Sequence, residues 1–533
     1  MIRELVLLAG LTLLTRLVPR LILPYAVSSD AYYHLLAADR IRENRFRLPK
    51  RLRGLFFPGP YDYPPLFHYL LALIPQRVIL VAERLVSPVI DAVYAALVYV
   101  FLRWLLVHGG VPPSAAGQRA LALSLAFMVS PALLYTGRGP RAYNANPRIL
   151  SELLFAGAML ATLAWFLTTS LLAFAGGVVL LALLLLASKF GAQVVAFFFP
   201  PMAAALGSAA LLAIPGLAFL LAVVATRGHY LRVLKGHVGH LALFAQVGFR
   251  KGSPLARKSE WREFFELLGG LLRRKLQPAE LHRLFLINSI SAFLLRNPQL
   301  ILLGVLWGRV PTWETAGTFL WAWTAVSLAV FLLVSVRPLL FLGEAERYVA
   351  YSLPAQVLLL AFVWDVIPTH LWWGLLLYSV LLSAAYQAAF VRIHRHDSTL
   401  RRQAAELHDF LRCQERTLRI LPIAESPHKL AYGSAHEIFY PCGNFQIWHT
   451  PVHEYLRIYG RFMLPRLETV HETVARYSID TVLVNKRGAP EEFSRRLHGH
   501  LALFENESFV VYDVRRQVSD VRAPGSTAKA ALR

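Results

Sequence analysis

The sequence predicts a mainly α-helical, polytopic membrane protein with about eleven transmembrane helices, followed by a small soluble α/β domain. Two observations support this prediction. Of the 533 residues, 56% are hydrophobic and 16% are charged, and the mean hydropathy is +0.48. This composition is too apolar for an ordinary soluble protein. In addition, the apolar residues fall into runs of about 20, the length at which a helix crosses the hydrocarbon of a bilayer.

The predicted spans follow these apolar runs through a membrane domain of residues 1–393. They are 4–24, 84–106, 119–137, 150–168, 171–188, 192–208, 210–226, 284–307, 316–336, 354–369 and 371–392. Segment 65–75 is too short to span and is expected to be a re-entrant or surface helix. Arg3 precedes the first span and no small-residue cleavage site follows it, so this span is predicted to be a retained anchor.

The topology that follows places the polar segments on one side of the membrane. With a cytoplasmic N-terminus, the C-terminal domain is outside, together with loops 25–83, 138–150, 189–191, 227–283 and 337–353. The positive-inside rule opposes this, because 40–53 carries seven Lys/Arg against one Glu and 227–283 carries twelve against four. Both segments are long enough to form amphipathic helices on anionic headgroups, so we keep the outside assignment. A different span count in 192–226 would move 227–283 to the cytoplasm.

Residues 394–515 are predicted to form the soluble, extracytoplasmic α/β domain, and 516–533 a disordered tail. Residues 399–421 have helical periodicity; HKLAYGS, IDTVLVN and SFVVYDV are typical of strands, and EEFSRRLHGHL of a helix. The domain has no nucleophile elbow, P-loop, dinucleotide-binding fingerprint or HExxH motif, so we expect it to support or cap the membrane domain. Its two cysteines, Cys413 and Cys442, either pair or remain as free buried thiols.

The net charge of +23 does not indicate a nucleic-acid-binding protein. The basic residues cluster beside the membrane spans among Leu, Phe and Trp, and no zinc-finger, homeodomain or RNA-recognition pattern occurs. The predicted partners are therefore anionic membrane lipids or a phosphorylated lipid substrate.

The stretch SSDAYYHL, residues 28–35, puts the carboxylate of Asp30 where the chain leaves the first span. A charge at the edge of the hydrocarbon is costly unless it is solvated, paired or functional, so Asp30 is a candidate active-site residue. On a helix over 31–44, His34 shares the face of Asp30 and Tyr33 lies beside them. The residues alone leave a second interpretation equally open, in which Asp30 is only the N-cap of that helix.

Other segments on the predicted outside carry polar and aromatic side chains. They are Tyr63 and His68 in GPYDYPPLFHYLLAL, Arg138, Arg141, Arg148, Asn144 and Asn146 in TGRGPRAYNANPRILSE, Glu346, Arg347 and Tyr348 in RPLLFLGEAERYVAYSLP, and the isolated Lys189. One carboxylate, several guanidinium groups and aromatic rings on one membrane face suit a lipid phosphate held beside a sugar. A single basic residue is more often an interfacial anchor, so this inference depends on their shared side.

The order of four motifs resembles the GT-C superfamily of integral-membrane glycosyltransferases, which includes oligosaccharyltransferase catalytic subunits, protein O-mannosyltransferases and aminoarabinose transferases. The motifs are SSDAYYHL, YDYPPLFHYL, GRGPRAYNANPR and GEAERYVAYSLP. The resemblance implies inverting transfer of a sugar from a polyprenyl-phosphate or polyprenyl-diphosphate donor. The acceptor would be a lipid, glycan or protein of the cell envelope, at the outer face of the plasma (inner) membrane.

The resemblance also implies roles for individual residues. Asp30 is expected to be the general base or to orient the acceptor. For His34 and His68, two roles stay open: assistance in proton transfer, or hydrogen bonds to sugar hydroxyls. Donor phosphate is assigned to Arg138, Arg141, Lys189 and Arg347, and substrate binding to Tyr33, Tyr63, His68, Asn144, Glu346 and Tyr348. We expect no cofactor and no metal, because Asn144 and Asn146 stand in the loop where metal-dependent members place acids. A divalent metal, if used, would fall to Asp30 and Glu152.

Two alternatives belong to other functional classes. The first is a transporter or flippase of lipid-linked sugars, although the chain lacks the internal repeats typical of transporters. The second is a non-catalytic membrane protein whose basic loops bind anionic lipid, which needs no acid at Asp30. A polar cavity containing Asp30 at one membrane face favours the transferase. Peptide N-glycosylation is not expected, because HLWWGLLL and FVWDVIP do not match the WWDYG-type motif of oligosaccharyltransferases.

Overall fold

The computed structural model describes residues 1–23, 29–50, 52–55, 61–134, 145–249, 260–306, 315–395, 398–440, 457–461 and 464–515. The predicted disordered tail, 516–533, lies outside these ranges. The described chain is mainly helical up to residue 412 and then forms a small α/β unit, which confirms the predicted fold class.

The N-terminal half is a series of helices joined by short connections. They are α1 (Ile2–Ile22), α2 (Ser29–Glu43), α3 (Leu66–Ala72), α4 (Ile79–His108), α5 (Pro113–Met128), α6 (Pro131–Leu134), α7 (Pro147–Thr168), α8 (Leu171–Ala187), α9 (Lys189–Ala205) and α10 (Ala210–Ala225). The short α3 is the non-spanning helix predicted over 65–75.

The second half of the membrane domain is more interrupted. Its helices are α11 (His229–Phe249), α12 (Glu260–Leu272), α13 (Pro278–His282), α14 (Ser289–Arg296), α15 (Pro298–Val305), α16 (Thr315–Val334), α17 (Glu346–Ala350), α18 (Leu353–Phe362) and α19 (Thr369–Arg395). A π-helical turn, Arg283–Ile287, precedes α14, and 3-10 turns occupy Arg337–Leu342 and Trp364–Val366.

The predicted count of eleven spans is not confirmed. Within the described residues, five helices are long and apolar enough to cross a membrane: α1, α4, α7, α16 and α19. Treating α10 and α11 as one span would add a sixth, but the path of the chain bends by 115° at the break between these two helices. The other predicted spans are shorter or broken. For example, α8 has 17 residues, about 26 Å at 1.5 Å per residue, and span 284–307 is divided at Asn297 into α14 and α15.

Two ion pairs bury charge between α1 and α4. Arg16 Nε lies 3.0 Å from Asp91 Oδ2, and Arg20 Nη2 lies 2.9 Å from Glu83 Oε2. All four side chains are almost fully buried, where an unpaired charge would be strongly destabilising. The second carboxylate oxygen of Glu83 accepts a hydrogen bond from the Ala145 N–H at 2.6 Å. This pair therefore also fixes the segment that leads into α7.

The C-terminal unit begins with α20 (Ser398–Arg412) and contains a five-stranded sheet in the order β2-β1-β5-β7-β6. The strands are β1 (Arg419–Ile423), β2 (Glu437–Ile438), β5 (Thr481–Asn485), β6 (Leu501–Glu505) and β7 (Phe509–Asp513), and a separate ribbon pairs β3 (Tyr459–Arg461) with β4 (Leu464–Pro465). Strand β1 is parallel to β2 and β5, whereas β7 is antiparallel to β5 and β6. The remaining helices are α21 (Pro427–Ala431), α22 (Val470–Tyr477) and α23 (Glu491–Leu497).

Several details of this unit differ from the sequence prediction. HKLAYGS is not a strand, because Ser426 caps α21 through a hydrogen bond to the Lys429 N–H and Pro427 starts the helix. The helix predicted over 399–421 ends at Arg412, and strand β1 occupies the last residues of that range. Cys413 is exposed, so the alternative of a free buried thiol is wrong for this residue. Cys442 lies outside the described residues.

Helix α2 lies between the membrane domain and the C-terminal unit. One face contributes Ala38 and Ile41 to the core of the membrane helices. The other contributes Tyr33, Leu36 and Ala37 to a core shared with α20, α21 and the sheet. The backbone adds a further link, since Ile438 N–H donates to the Gly54 carbonyl at 3.0 Å. The C-terminal unit therefore packs directly behind the helix that carries Asp30.

Candidate functional site

A polar cavity of about 350 Å³ lies where α2, the start of α7, the α8–α9 junction, α11 and segment 340–347 meet. Each of these five segments belongs to a loop that the sequence places outside the membrane. The polar and charged residues that line the cavity are Asp30, Tyr33, His34, Tyr63, Asn146, Arg148, Ser188, Lys189, Gln193, His237, His240, Glu344 and Arg347. The volume is within the usual range for small-molecule sites.

Asp30 is in the first turn of α2, where a carboxylate also interacts favourably with the helix dipole. Because α2 begins at Ser29, Asp30 is inside the helix and is not its N-cap. The side chain is exposed to the cavity although protein surrounds it. Desolvation raises the pKa of Asp30, while the positive charges of Arg347 and Arg148 oppose this shift. The carboxylate therefore faces the cavity with two guanidinium groups close enough to affect its ionisation.

Arg148 and Arg347 come from helices α7 and α17, which are far apart in the sequence. Asn146 caps α7 by accepting a hydrogen bond from the Arg148 N–H at 2.8 Å, which fixes the first turn. Arg347 Nε lies 2.5 Å from Glu344 Oε2, and its guanidinium carbon lies 5.7 Å from the ring centroid of Phe190. These contacts hold the Arg347 guanidinium in place at the cavity wall.

Lys189 is the first residue of α9, which Ser188 caps through the Gly191 N–H. Its Nζ lies 3.5 Å from Asp62 Oδ1 and 5.5 Å from the ring centroid of Tyr63. Both charged side chains are buried, so each compensates for the desolvation of the other. Gly236 of α11 packs against Asp62 so closely that a Cβ at this position would collide with the carboxylate. Helix α11 therefore closes over this ion pair only because residue 236 is glycine.

A histidine pair lies beside Asp30. His34 Nδ1 and His68 Nε2 are 2.8 Å apart, and the Tyr61 hydroxyl hydrogen-bonds to His68 Nδ1. Burial lowers the pKa of His34, and it lowers the pKa of His68 to about 3. Both imidazoles are therefore neutral near pH 7.

The structure brings six predicted site residues together at the cavity: Asp30, Tyr33, His34, Tyr63, Lys189 and Arg347. Four others lie behind its wall. His68 contacts His34, Tyr348 is buried with its hydroxyl 3.4 Å from Gln193 Oε1, Glu346 is buried in α17, and Glu152 is one turn beyond Arg148. Arg138, Arg141 and Asn144 lie outside the described residues. Among the described residues, no cluster of three or more His, Cys, Asp or Glu is arranged to hold a metal ion.

The sequence analysis assigned no role to several residues that the cavity contains. Arg148 and Glu344 line the cavity, and Asp62 pairs with Lys189 of its wall. All three stand within quoted motifs, so the available signal was a charged residue inside a motif already chosen. His237 and His240 gave no such signal. Their segment has the pattern of a basic surface helix, and only the bend before α11 turns it toward Asp30.

Comparison with known proteins shows which fold this arrangement belongs to. The structure is similar to ArnT, an aminoarabinose transferase, from Cupriavidus metallidurans in the apo state (TM-score 0.57, 11% identity, covering 95% of this chain and 97% of ArnT). It is also similar to the Archaeoglobus fulgidus oligosaccharyltransferase in the apo form (TM-score 0.54, 13% identity, 90% and 69% covered). A structure of that protein with Zn and sulfate gives a TM-score of 0.50 at 14% identity, with 90% and 68% covered.

The sequence itself matches no family model and no curated protein. At these identities the structural similarity establishes the fold alone, and it extends over nearly the whole chain. The chain has the GT-C fold, as the order of its motifs predicted.

The Asp62–Lys189 pair predicts a pH dependence of stability. Burial raises the pKa of Asp62 from 3.8 to about 6, although Lys189 opposes the shift. The folded protein therefore holds this proton more tightly than the unfolded chain, and the free energy of unfolding should fall as pH rises from about 4 to about 6. Asp62→Asn has no titratable group at this position, so its melting temperature should depend less on pH over that range.

Thermal unfolding of both proteins in detergent, at several pH values, measures the difference. Glu43→Gln is the matched control, because Glu43 is an exposed carboxylate at the end of α2; it should keep the wild-type slope. An unchanged slope in Asp62→Asn would contradict the assignment.

Proposed function

We propose that this chain, which has the GT-C fold, is a membrane glycosyltransferase. It transfers a sugar from a polyprenyl-phosphate-type lipid donor to an acceptor of the cell envelope, and Asp30 serves as base or acceptor-orienting residue. The observation that carries the proposal is one cavity in which the carboxylate of Asp30 faces Arg148, Arg347 and Lys189. The reaction needs a carboxylate that takes the proton of the acceptor hydroxyl and cations that bind a phosphate.

The donor phosphate is assigned to the cations of the cavity wall. Guanidinium groups bind phosphate oxygens in a bidentate manner, and they stabilise the negative charge that develops as the sugar–phosphate bond breaks. Arg347 is already oriented by Glu344 and Phe190, so little reorganisation is needed when the phosphate arrives. Arg148 is added to the phosphate-binding residues predicted from the sequence, of which Arg138 and Arg141 lie outside the described residues.

The acceptor hydroxyl is assigned to the Asp30 side of the cavity. As the acceptor oxygen forms its bond to the anomeric carbon, the bond from that carbon to the phosphate oxygen breaks. The acceptor proton passes to the Asp30 carboxylate, and the phosphate leaves with the lipid. The raised pKa of Asp30 favours this step, because a carboxylate with a higher pKa is a stronger base.

The first test is the substitution Asp30→Asn. Asn keeps the shape of the side chain but cannot accept the proton, so turnover should fall on the order of 10²–10⁴-fold. Sugar transfer is measured with purified protein, membrane extract as the source of acceptor, and a polyprenyl-phosphate sugar. Glu43→Gln removes an exposed carboxylate from the same helix and should transfer sugar at the wild-type rate. Near-wild-type turnover by correctly folded Asp30→Asn protein would reject the proposed role.

The second test concerns the phosphate. Arg148→Lys and Arg347→Lys keep the charge but remove the planar, two-pronged donor, so kcat/KM for the donor should fall by about 10- to 100-fold. Arg119→Lys is the control, because Arg119 makes a bidentate ion pair with Asp365 and does not line the cavity. Unchanged kcat/KM in both cavity variants would remove these arginines from the phosphate site.

The location of the reaction follows from the assembly around α2. We infer that the cavity and the C-terminal unit share one side of the membrane, because Tyr33 and Leu36 of α2 are buried against that unit while Asp30 faces the cavity. With a cytoplasmic N-terminus, that side is extracytoplasmic, at the outer face of the plasma membrane.

A reporter enzyme that is active only outside the cytoplasm, fused after Arg515, should therefore be active. A matched fusion of a reporter that is active only in the cytoplasm should be silent. The reverse pattern would place the cavity and the C-terminal unit on the cytoplasmic side.

A further inference from the structure

The hydrogen bonds of the histidine pair form a chain that runs from the interior to the cavity. It begins at the buried Tyr61, continues through His68, whose side chain is fully buried, and ends at His34 in the cavity wall. Among the described residues, the only hydrogen bond of the His34 ring is the one at Nδ1. Because His34 lines the cavity, its other ring nitrogen, Nε2, is available to bind a ligand there.

The chemistry of the phenol and imidazole groups decides which group donates in each of these hydrogen bonds. A phenol is a better hydrogen-bond donor than a neutral imidazole N–H, and an unprotonated imidazole nitrogen is a better acceptor than a phenol oxygen. Tyr61 therefore donates to His68 Nδ1, which puts the single proton of neutral His68 on Nε2. That N–H donates to His34 Nδ1. The single proton of neutral His34 is then on Nε2.

The surroundings keep both rings neutral. The ring centroids of Tyr33, Tyr63 and Phe67 lie 5.3–5.7 Å from that of His34, which is only 4% exposed. His428 of the C-terminal unit packs on Tyr33 at 5.2 Å and further disfavours a positive charge on His34. Burial raises the pKa of Tyr61 well above its usual value, so its hydroxyl keeps the proton that it donates.

We propose that Tyr61 and His68 fix His34 as the neutral Nε2–H tautomer, and that this N–H donates a hydrogen bond to an oxygen atom of the substrate in the cavity. This inference rests on the proposed function. Of the two roles that the sequence left open for His34, it favours the hydrogen bond over proton transfer, because an Nε2 that already carries a proton is a donor and not a base. It adds the tautomer of the ring and the two residues that fix it. Tyr61 and His68 are positioning residues that act through His34.

The chemistry of the ligand atom is an oxygen with a free lone pair, either a sugar hydroxyl or a phosphate oxygen. A neutral donor binds such an atom without adding charge beside Arg148 and Arg347, and its strength does not change with pH near neutrality. The proton that the acceptor loses remains the task of Asp30.

The tautomer is tested without substrate. In full-length protein with ¹⁵N-labelled histidine, in detergent or nanodiscs, nitrogen chemical shifts distinguish protonated from unprotonated ring nitrogens. His34→Gln and His68→Gln spectra assign the two residues. We expect Nε2 protonated and Nδ1 unprotonated in both rings at pH 7. In Tyr61→Phe the His34 signals should shift toward a tautomer mixture, whereas Tyr69→Phe, one residue from His68, should leave them unchanged. Protonated Nδ1 or an imidazolium at His34 would overturn the proposal.

The activity arm compares two substitutions of His34. The amide nitrogen of Gln reaches the place of Nε2–H, so His34→Gln should keep turnover within about threefold of wild type with an unchanged pH profile, whereas His34→Ala should lose about tenfold. If Gln is as impaired as Ala, the donor role is wrong. Donors that lack one sugar hydroxyl then identify the ligand atom. If such a donor has a raised KM with the wild type and His34→Ala causes no further loss with it, the missing hydroxyl is the ligand. If His34→Ala causes the same loss with every sugar, the ligand is a phosphate oxygen. Absence of transfer by the wild type would reject the proposed function, and the spectra alone would then decide the tautomer.

Discussion

The burial of α2 between the membrane helices and the C-terminal unit is the constraint on which the rest of the site depends. Its residues pack on membrane helices through Ala38 and Ile41 and on the C-terminal unit through Tyr33 and Leu36. A helix of fifteen residues is marginal in water by itself, so these two interfaces supply its stability. Asp30, Tyr33 and His34 in its first two turns line the cavity. The position of Asp30 is therefore set by the packing of its helix against both parts of the molecule.

Charge compensation is the second organising principle of the site. Each cation of the cavity wall stands near a carboxylate: Lys189 near Asp62, Arg347 near Glu344, and Arg148 close enough to Asp30 to lower its pKa. Such pairs avoid the cost of isolated buried charge, and they hold the cations in place before a substrate is present. An anionic ligand then meets preorganised donors, which is the condition under which electrostatic stabilisation is most effective.

The sequence predicted the fold class, the short helix α3 and most of the segments that build the cavity, but not α11, because hydropathy and motif order are local signals. It did not predict the number of continuous spans, since Asn297 and the bend before α11 divide apolar runs that look continuous. It assigned the strand pattern of HKLAYGS wrongly, because the cap at Ser426 outweighs strand propensity over so few residues. His237 could not be found from sequence, since its place at the cavity depends on contacts between segments far apart in the chain.

The walls of the cavity come from residues spread between Asp30 and Arg347, and the helix that carries Asp30 is buried from behind by residues 404–511. During synthesis, Asp30 emerges from the ribosome well before α20 and the sheet that pack behind its helix. Until those residues follow, the apolar back of α2 is covered only by its neighbours in sequence, such as Leu52, Leu55 and Tyr61. The wall of the cavity therefore reaches its final packing after most of the membrane helices have been made.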